Sequence, residues 1–322
     1  MFLTDNQLKT LCEVLVAPKL LSFKPKLAEL AYDKDVCIQY YASEKLRDHE
    51  YLYVRTHPDS KILAVAHTDV SMNKITAPKL SYDRKLVQAR QLDDRLGCWL
   101  ILHYLKNVLP AEQPFDILFT DFEETGKSTA QHFCLPEGKK YNWMFEWDRR
   151  GTGVVMYDFE TPELKALMEA YHFQVEAGSI SDICYLSHLD CAGFNFGTAY
   201  YNEHTDTCHA DFEKLFHQIS KFIPFYSEWY NKHLKHDHEA AERKKNVKIY
   251  GWNYDKDSKK KDTHKGRDRG KSQVVGGLDI GSVSGKKTSL IPIDANTTHV
   301  RRRDEKSTIK IQSVSFLDPD EI

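Results

Sequence analysis

Four short apolar runs constrain this chain more than any other feature: KILAVAHTDV (61–70), PFDILFTDF (114–122), YNWMFEWD (141–148) and CAGFNFGTAYY (191–201). Each is rich in apolar side chains, with polar ones at its end or just beyond it. That is the pattern of a strand buried on both faces that exits into a loop. Helical segments lie between and after them. LDDRLGCWLILHYLKNVL places Leu96, Trp99, Leu100, His103 and Tyr104 at helical spacing, with acids at its start where the helix dipole favours them. STAQHFC reads as a short helix, PELKALMEAYHF as a longer one, and DFEKLFHQISKFIPFYSEWYNKHL as a long closing helix. KLSYDRKLVQA reads as a hairpin and GVVMYDF as a further strand. Buried strands alternating with helices predict an α/β fold, a mainly parallel mixed sheet sandwiched by helices. In such sheets ligands gather at the carboxyl ends of the strands.

Composition divides the 322 residues in two. Residues 1–235 carry 26 Lys+Arg against 33 Asp+Glu and are dense in aromatics and aliphatics. Residues 236–322 carry 19 against 14 and have too little apolar material to build a core. The expectation is a single catalytic domain over 1–235 and a basic, flexible tail over 236–322. Disorder is expected over most of 236–275, and short ordered pieces are expected near 288–317. The N-terminal MFLTDNQLKTLCEVLVAPKLL reads as an amphipathic helix rather than a secretory signal, and no apolar run is long enough to span a membrane. Seven scattered cysteines without a CxxC pair read as reduced thiols of a cytoplasmic protein, most of them small buried hydrophobes.

The polar residues at the strand exits carry the chemistry. His67 and Asp69 follow one strand, Asp93 and Asp94 open a helix, Glu123 and Glu124 follow the next strand, Asp148 ends another, and His204 follows the last. A lone HxD, DD or EE is usually a solvated loop. Their conjunction at five strand ends or loops is what points to a site. Two imidazoles and three carboxylates make a nitrogen–oxygen donor set suited to zinc or a similar divalent ion. So many acids held together need cations between them. A metal pair would polarise a carbonyl and generate a strong nucleophile from water at neutral pH. The HxD spacing suits an Asp69 that fixes the ring of His67. A neighbouring acid pair can supply one ligand and one proton carrier.

In this order, AHTD, LDDRLG, FEETG, WDRRG and NEHT resemble the co-catalytic zinc aminopeptidase-like exopeptidases, peptidase families M28, M42 and M20. SISDICYLSHLDCAGFNFGTAYYNEHT is similar to the same group. The resemblance covers residues 60–210 and is nearest to small bacterial M42-like or M20/M28-like peptidases. It implies that His67 binds one metal and Asp93 bridges two, Asp93 being the acid four before Gly97. It further implies Glu124, Asp148 and His204 as the other ligands, Glu123 as general base, and Asp69 as the orienting acid. Asp182 and Glu203 match no ligand position and are assigned a substrate contact at most. Arg95 and Arg149 are assigned structural ion pairs. His67 to Asp93 spans 26 residues and Asp148 to His204 spans 56, so neither gap holds an inserted lid or accessory domain. That speaks against the large self-compartmentalising assemblies built with such insertions.

The expected function is therefore a metal-dependent exopeptidase, an aminopeptidase releasing N-terminal residues from short peptides. The expected cofactors are two divalent ions, zinc first, with cobalt or manganese as alternatives. A related amidohydrolase of acylated amino acids, or a glutaminyl-cyclase-like acyl transfer, would keep the metals and change the substrate. A non-catalytic scaffold binding a partner through the tail is the alternative from another class. The expected partner is a peptide or amide substrate, with no membrane. Acids interrupt every basic cluster of the tail, so no specific nucleic-acid partner is expected either. His233, His236 and His238 read as ordinary surface histidines.

Overall fold

The computed structural model describes residues 3–32, 50–71, 74–81, 83–239 and 241–242, and the backbone of 37–43, 46–49, 289–293, 297–301 and 308–312. Most of the stretch expected to be disordered, 236–275, lies outside the described residues. The N-terminal segment forms helix α1 (Asp5–Leu15), whose N-cap Thr4 and residue Gln7 complete a capping box. α2 (Lys24–Leu30) follows. Strands β1 (Cys37–Ser43) and β2 (Leu46–Val54) come next, in a stretch to which the sequence pattern assigned no element.

The four apolar runs become β3 (Ile62–His67), β6 (Phe115–Thr120), β7 (Trp143–Arg149) and β10 (Ala192–Gly197). They lie side by side in the order β6-β3-β7-β10, all parallel. β3, β6 and β10 are buried at every position, as a sheet covered on both faces requires. Antiparallel β2 and β1 extend the β6 side, and β8 (Gly153–Val155) and β9 (Gln174–Val175) extend the β10 side. Beyond β1, three antiparallel strands continue the same sheet: β15 (Thr308–Gln312), β14 (Thr297–Arg301) and β13 (Ser289–Ile293). Packing also continues past residue 235, where His236 is buried against Phe159, 4.6 Å between ring centroids.

Alternation along β7 separates two layers. Trp143, Phe145 and Trp147 pack with Phe194 and Phe196 of β10 under Phe222, Phe225 and Tyr226 of the closing helix α6 (Phe212–Trp229). α5 (Pro162–Ala170) precedes β9. The alternate residues of β7, Glu146 and Asp148, face the 3₁₀ segment Asp182–Leu189 and Ser181 before it. α3 (Leu92–Trp99) runs through a π-helical stretch, Leu100–Tyr104, into α4 (Leu105–Val108). Its first residues depart from the expected helical start. Asp93 (φ −86°, ψ 114°) and Asp94 are not helical, and the peptide between them is cis. Gly97 lets α3 approach β7, since a Cβ there would stand 2.7 Å from the Trp147 carbonyl and 2.1 Å from Asp94 Oδ1. The predicted hairpin forms from β4 (Lys79–Leu80) and β5 (Leu86–Gln88). With β12 (His209–Asp211) and β11 (Tyr200–Tyr201) it makes a second, antiparallel sheet. No described helix is long and apolar enough to cross a membrane.

Candidate metal centre

Strand register assembles the centre. In the parallel ladder His67 stands opposite Thr120, and Val65 stands opposite Glu146. Two residues further along, on the same face, His67 and Asp148 therefore come level. His67 Nε2 lies 3.5 Å from Asp148 Oδ1 and 3.4 Å from Asp93 Oδ1. Asp93 reaches the other way with Oδ2, 3.1 Å from His204 Nε2, and Glu124 Oε2 is also 3.1 Å from that nitrogen. Two groups of donor atoms result, each within 4.8 Å: His67, Asp93 and Asp148, and Asp93, Glu124 and His204. Asp93 is common to both. Asp94, by contrast, turns back to accept the Gly97 amide at 3.1 Å.

FEETG explains how adjacent acids serve one site. Neighbours on a regular strand point to opposite faces. Here the chain leaves β6 through Phe122 (φ 64°), makes one 3₁₀ turn over Glu123–Thr125, and exits through Gly126 (φ 67°). The Glu123 and Glu124 amides both donate to Asp69, at 3.2 and 3.1 Å. Asp69 also lies 3.3 Å from His67 Nδ1, so the carboxylate that holds the turn also faces the imidazole. Glu124 accepts the Ser71 amide with Oε1 while Oε2 faces His204. Glu123 belongs to neither triad, although its Oε2 is 3.9 Å from His67 Nε2. His204 stands in the β11–β12 turn with φ 62°, its side chain half exposed.

The donor set fits divalent cations on its own electrostatics. Both His67 nitrogens and Asp148 Oδ1 are buried with no hydrogen-bond partner among the described residues. Burial pushes the Asp148 carboxyl well up, with Asp93 and Asp94 adding to it. It also pushes Glu123 up to about 7, against the pull of His67 and with Asp182, Asp93 and Glu124 adding. Hydrogen bonds to Asp93 and Glu124 raise His204 to about 10. Burial opposes protonation of His67, but Asp148, Asp69 and Asp93 raise it well above its ordinary value. Protons thus gather where metal charge would otherwise balance the acids.

Of the two arginines expected in structural ion pairs, Arg149 forms one and Arg95 forms none among the described residues. Asp182 is 1% exposed and accepts from the Thr120 and Ser128 hydroxyls beneath the site. Arg95 makes no ion pair among the described residues; its buried guanidinium lies 4.8 Å from the centroid of the Phe23 ring. Arg149 pairs with Glu176 at 3.7 Å, as a structural arginine would. Glu203 pairs with Arg150 on the cavity wall. The sequence reading passed over Arg150, Tyr157 and Tyr200, which line the same cavity, and over Asn195, which accepts the Asp148 amide at 2.9 Å. Only the second arginine of WDRRG offered a signal, and it was indistinguishable from its neighbour.

No family model matches the chain, and no curated protein matches it in sequence. Solved structures do resemble it. A tripeptidase from Staphylococcus aureus aligns at TM-score 0.50 and 10% identity, over 72% of this chain and 100% of that one. The aminopeptidase PepT from Bacillus cereus aligns at TM-score 0.47 and 10% identity, over 69% and 98%. The glutaminyl cyclase of Fimbriiglobus ruber aligns at 0.46 and 13%, over 70% and 94%. The chain thus shares the α/β fold of that tripeptidase, the fold class that its motifs implied.

Proposed function

We propose that the chain is a metal-dependent aminopeptidase acting on short peptides. His67 and Asp148 would hold one divalent ion, Glu124 and His204 a second, and Asp93 both, zinc being the ion best matched to these donors. When bound, the ions would polarise the scissile carbonyl and make water acidic enough to react at neutral pH. Glu123 takes the proton of the attacking water and returns it to the leaving amine. Its carboxyl, 3.9 Å from His67 Nε2 and belonging to neither triad, is placed for both transfers. Asp69 holds His67 and the glutamate turn in place.

What supports the reading is the sharing of Asp93 between two triads, with Glu123 beside them and spent on neither. The test pairs metal analysis with a fluorogenic aminoacyl-amide assay. Glu123→Gln is expected to keep two metals and lose about 10²- to 10⁴-fold in kcat. Activity surviving that change would remove Glu123 as the base. Two bound metals with no amidase activity in the parent protein would favour a scaffold instead.

A further inference from the structure

The cavity over the metal centre encloses about 300 Å³, the lower end of ordinary ligand pockets. Asp93, Glu123, Glu124 and Asp148 close its inner end, with side chains 8–17% exposed. Beyond the proposed ligands and base, the charged residues lining it are Arg149, Arg150 and Glu203. Arg149 is the less exposed, at 23%, its Nη2 lying 3.7 Å from Glu176 and donating to the Ala177 carbonyl at 3.3 Å. Arg150 is the more accessible of the two. Its Nη1 bonds Glu203, its side chain is 57% exposed, and it stands two residues beyond Asp148. A guanidinium carries five donors, so one bond to Glu203 leaves a fork for a second carboxylate. Ile180, 47% exposed, gives the same wall an apolar face.

We infer that Arg150 receives the free terminal carboxylate of a di- or tripeptide, with Glu203 holding the guanidinium at the cavity mouth. The inference rests on the aminopeptidase reading and narrows it to peptides short enough to place both the scissile bond and the carboxyl end in one small cavity. Two extended residues reach roughly 7 Å, a span that a cavity of this size accommodates. Longer peptides would have to carry an uncharged backbone past Arg150.

The test compares Leu-Gly, its carboxyl-terminal amide, its N-acetyl form and a nine-residue peptide on the zinc-loaded full chain. The free dipeptide is expected to exceed its amide about tenfold or more in kcat/KM, chiefly through KM. Arg150→Met should bring that ratio to about 1 with zinc content and melting temperature kept, and Arg150→Lys should restore part of it. Equal use of acid and amide by the parent protein overturns the assignment. So does an Arg150→Met loss shared equally by both, or equal use of the nine-residue peptide. Discrimination found only between the free and acetylated amino ends would transfer the role to Glu203 and also overturns it. Should nothing turn over at full zinc loading, the aminopeptidase reading fails by itself. Calorimetry of the same acid–amide pair then still decides: tenfold tighter acid binding upholds the role of Arg150, and equal affinity removes it.

Discussion

The two ends of the central sheet both bury carboxylates, and they treat them in opposite ways. At the amino end of β6, Asp116 is fully buried and fully served. Lys139 Nζ lies 2.8 Å away, the Tyr141 and Tyr53 hydroxyls donate at 2.8 and 3.2 Å, and the Thr56 amide donates at 3.0 Å. One cation balances one anion. At the carboxyl end, Asp93, Glu123, Glu124 and Asp148 face two imidazoles with Asp94 behind them, and four buried atoms of His67, Asp94 and Asp148 have no hydrogen-bond partner among the described residues. A buried polar network left half satisfied costs more than an apolar core. Such a deficit persists where something outside the chain completes it.

Substituting one aspartate at each end gives the largest contrast. Asp93→Asn is expected to remove both proposed metals and lower kcat/KM by about 10³-fold or more, because such ions would supply several kcal/mol of transition-state stabilisation. Asp116→Asn should do the reverse, costing about 3 kcal/mol in denaturant unfolding by leaving Lys139 buried without its counterion, at unchanged metal stoichiometry. Metal loss on Asp116→Asn, or two metals retained by Asp93→Asn, would break the contrast.

Acidity gives the next effect. Without metal, Asp94, Glu146, Asp148 and Glu123 hold carboxyls above their ordinary values, and His67 and His204 hold imidazoles above theirs. The folded form therefore binds more protons than the unfolded chain from about pH 4 upward. Stability of the metal-free protein should fall as pH rises through that window, to about pH 10 where His204 loses its proton. Asp69 and Asp93, held below the usual range, oppose this only in acid. Metal affinity should rise over the same range, since ions displace the protons. Thermal melts with and without zinc at pH 5, 7 and 9 are expected to diverge steadily. A flat metal-free profile would contradict the charge deficit.

Much of this was legible because each apolar run delivers its polar residues within a few positions of the strand end. Backbone direction alone then brings His67, Glu123, Glu124 and Asp148 to one edge. What depends on long-range pairing was not legible. Arg149 and Arg150 are identical in type and adjacent, and only partners 27 and 53 residues away separate them. Asp182 sits in SISDI, where nothing local says that Thr120 and Ser128 turn it inward. β2 escaped notice because LRDHEYLYV mixes charges into its first half, and its place is set by pairing with β1 and β6.

The finest contrast lies one layer behind each cluster. Asn195 accepts the Asp148 amide through its side-chain oxygen and donates to Tyr157 and Ser181, so it holds the strand of a proposed ligand rather than a charge. Asn195→Ala is expected to weaken metal binding about 10- to 100-fold, the usual cost of losing a support behind a ligand. Tyr53→Phe removes one donor from Asp116 but leaves Lys139, Tyr141 and the Thr56 amide. It should cost about 1 kcal/mol and leave metal affinity unchanged. Chelator competition and urea unfolding of the two variants would measure both effects. A support behind an open site should register in metal affinity, and a support behind a closed one in stability alone. A Tyr53→Phe protein that lost metal would show that the two ends of the sheet are coupled.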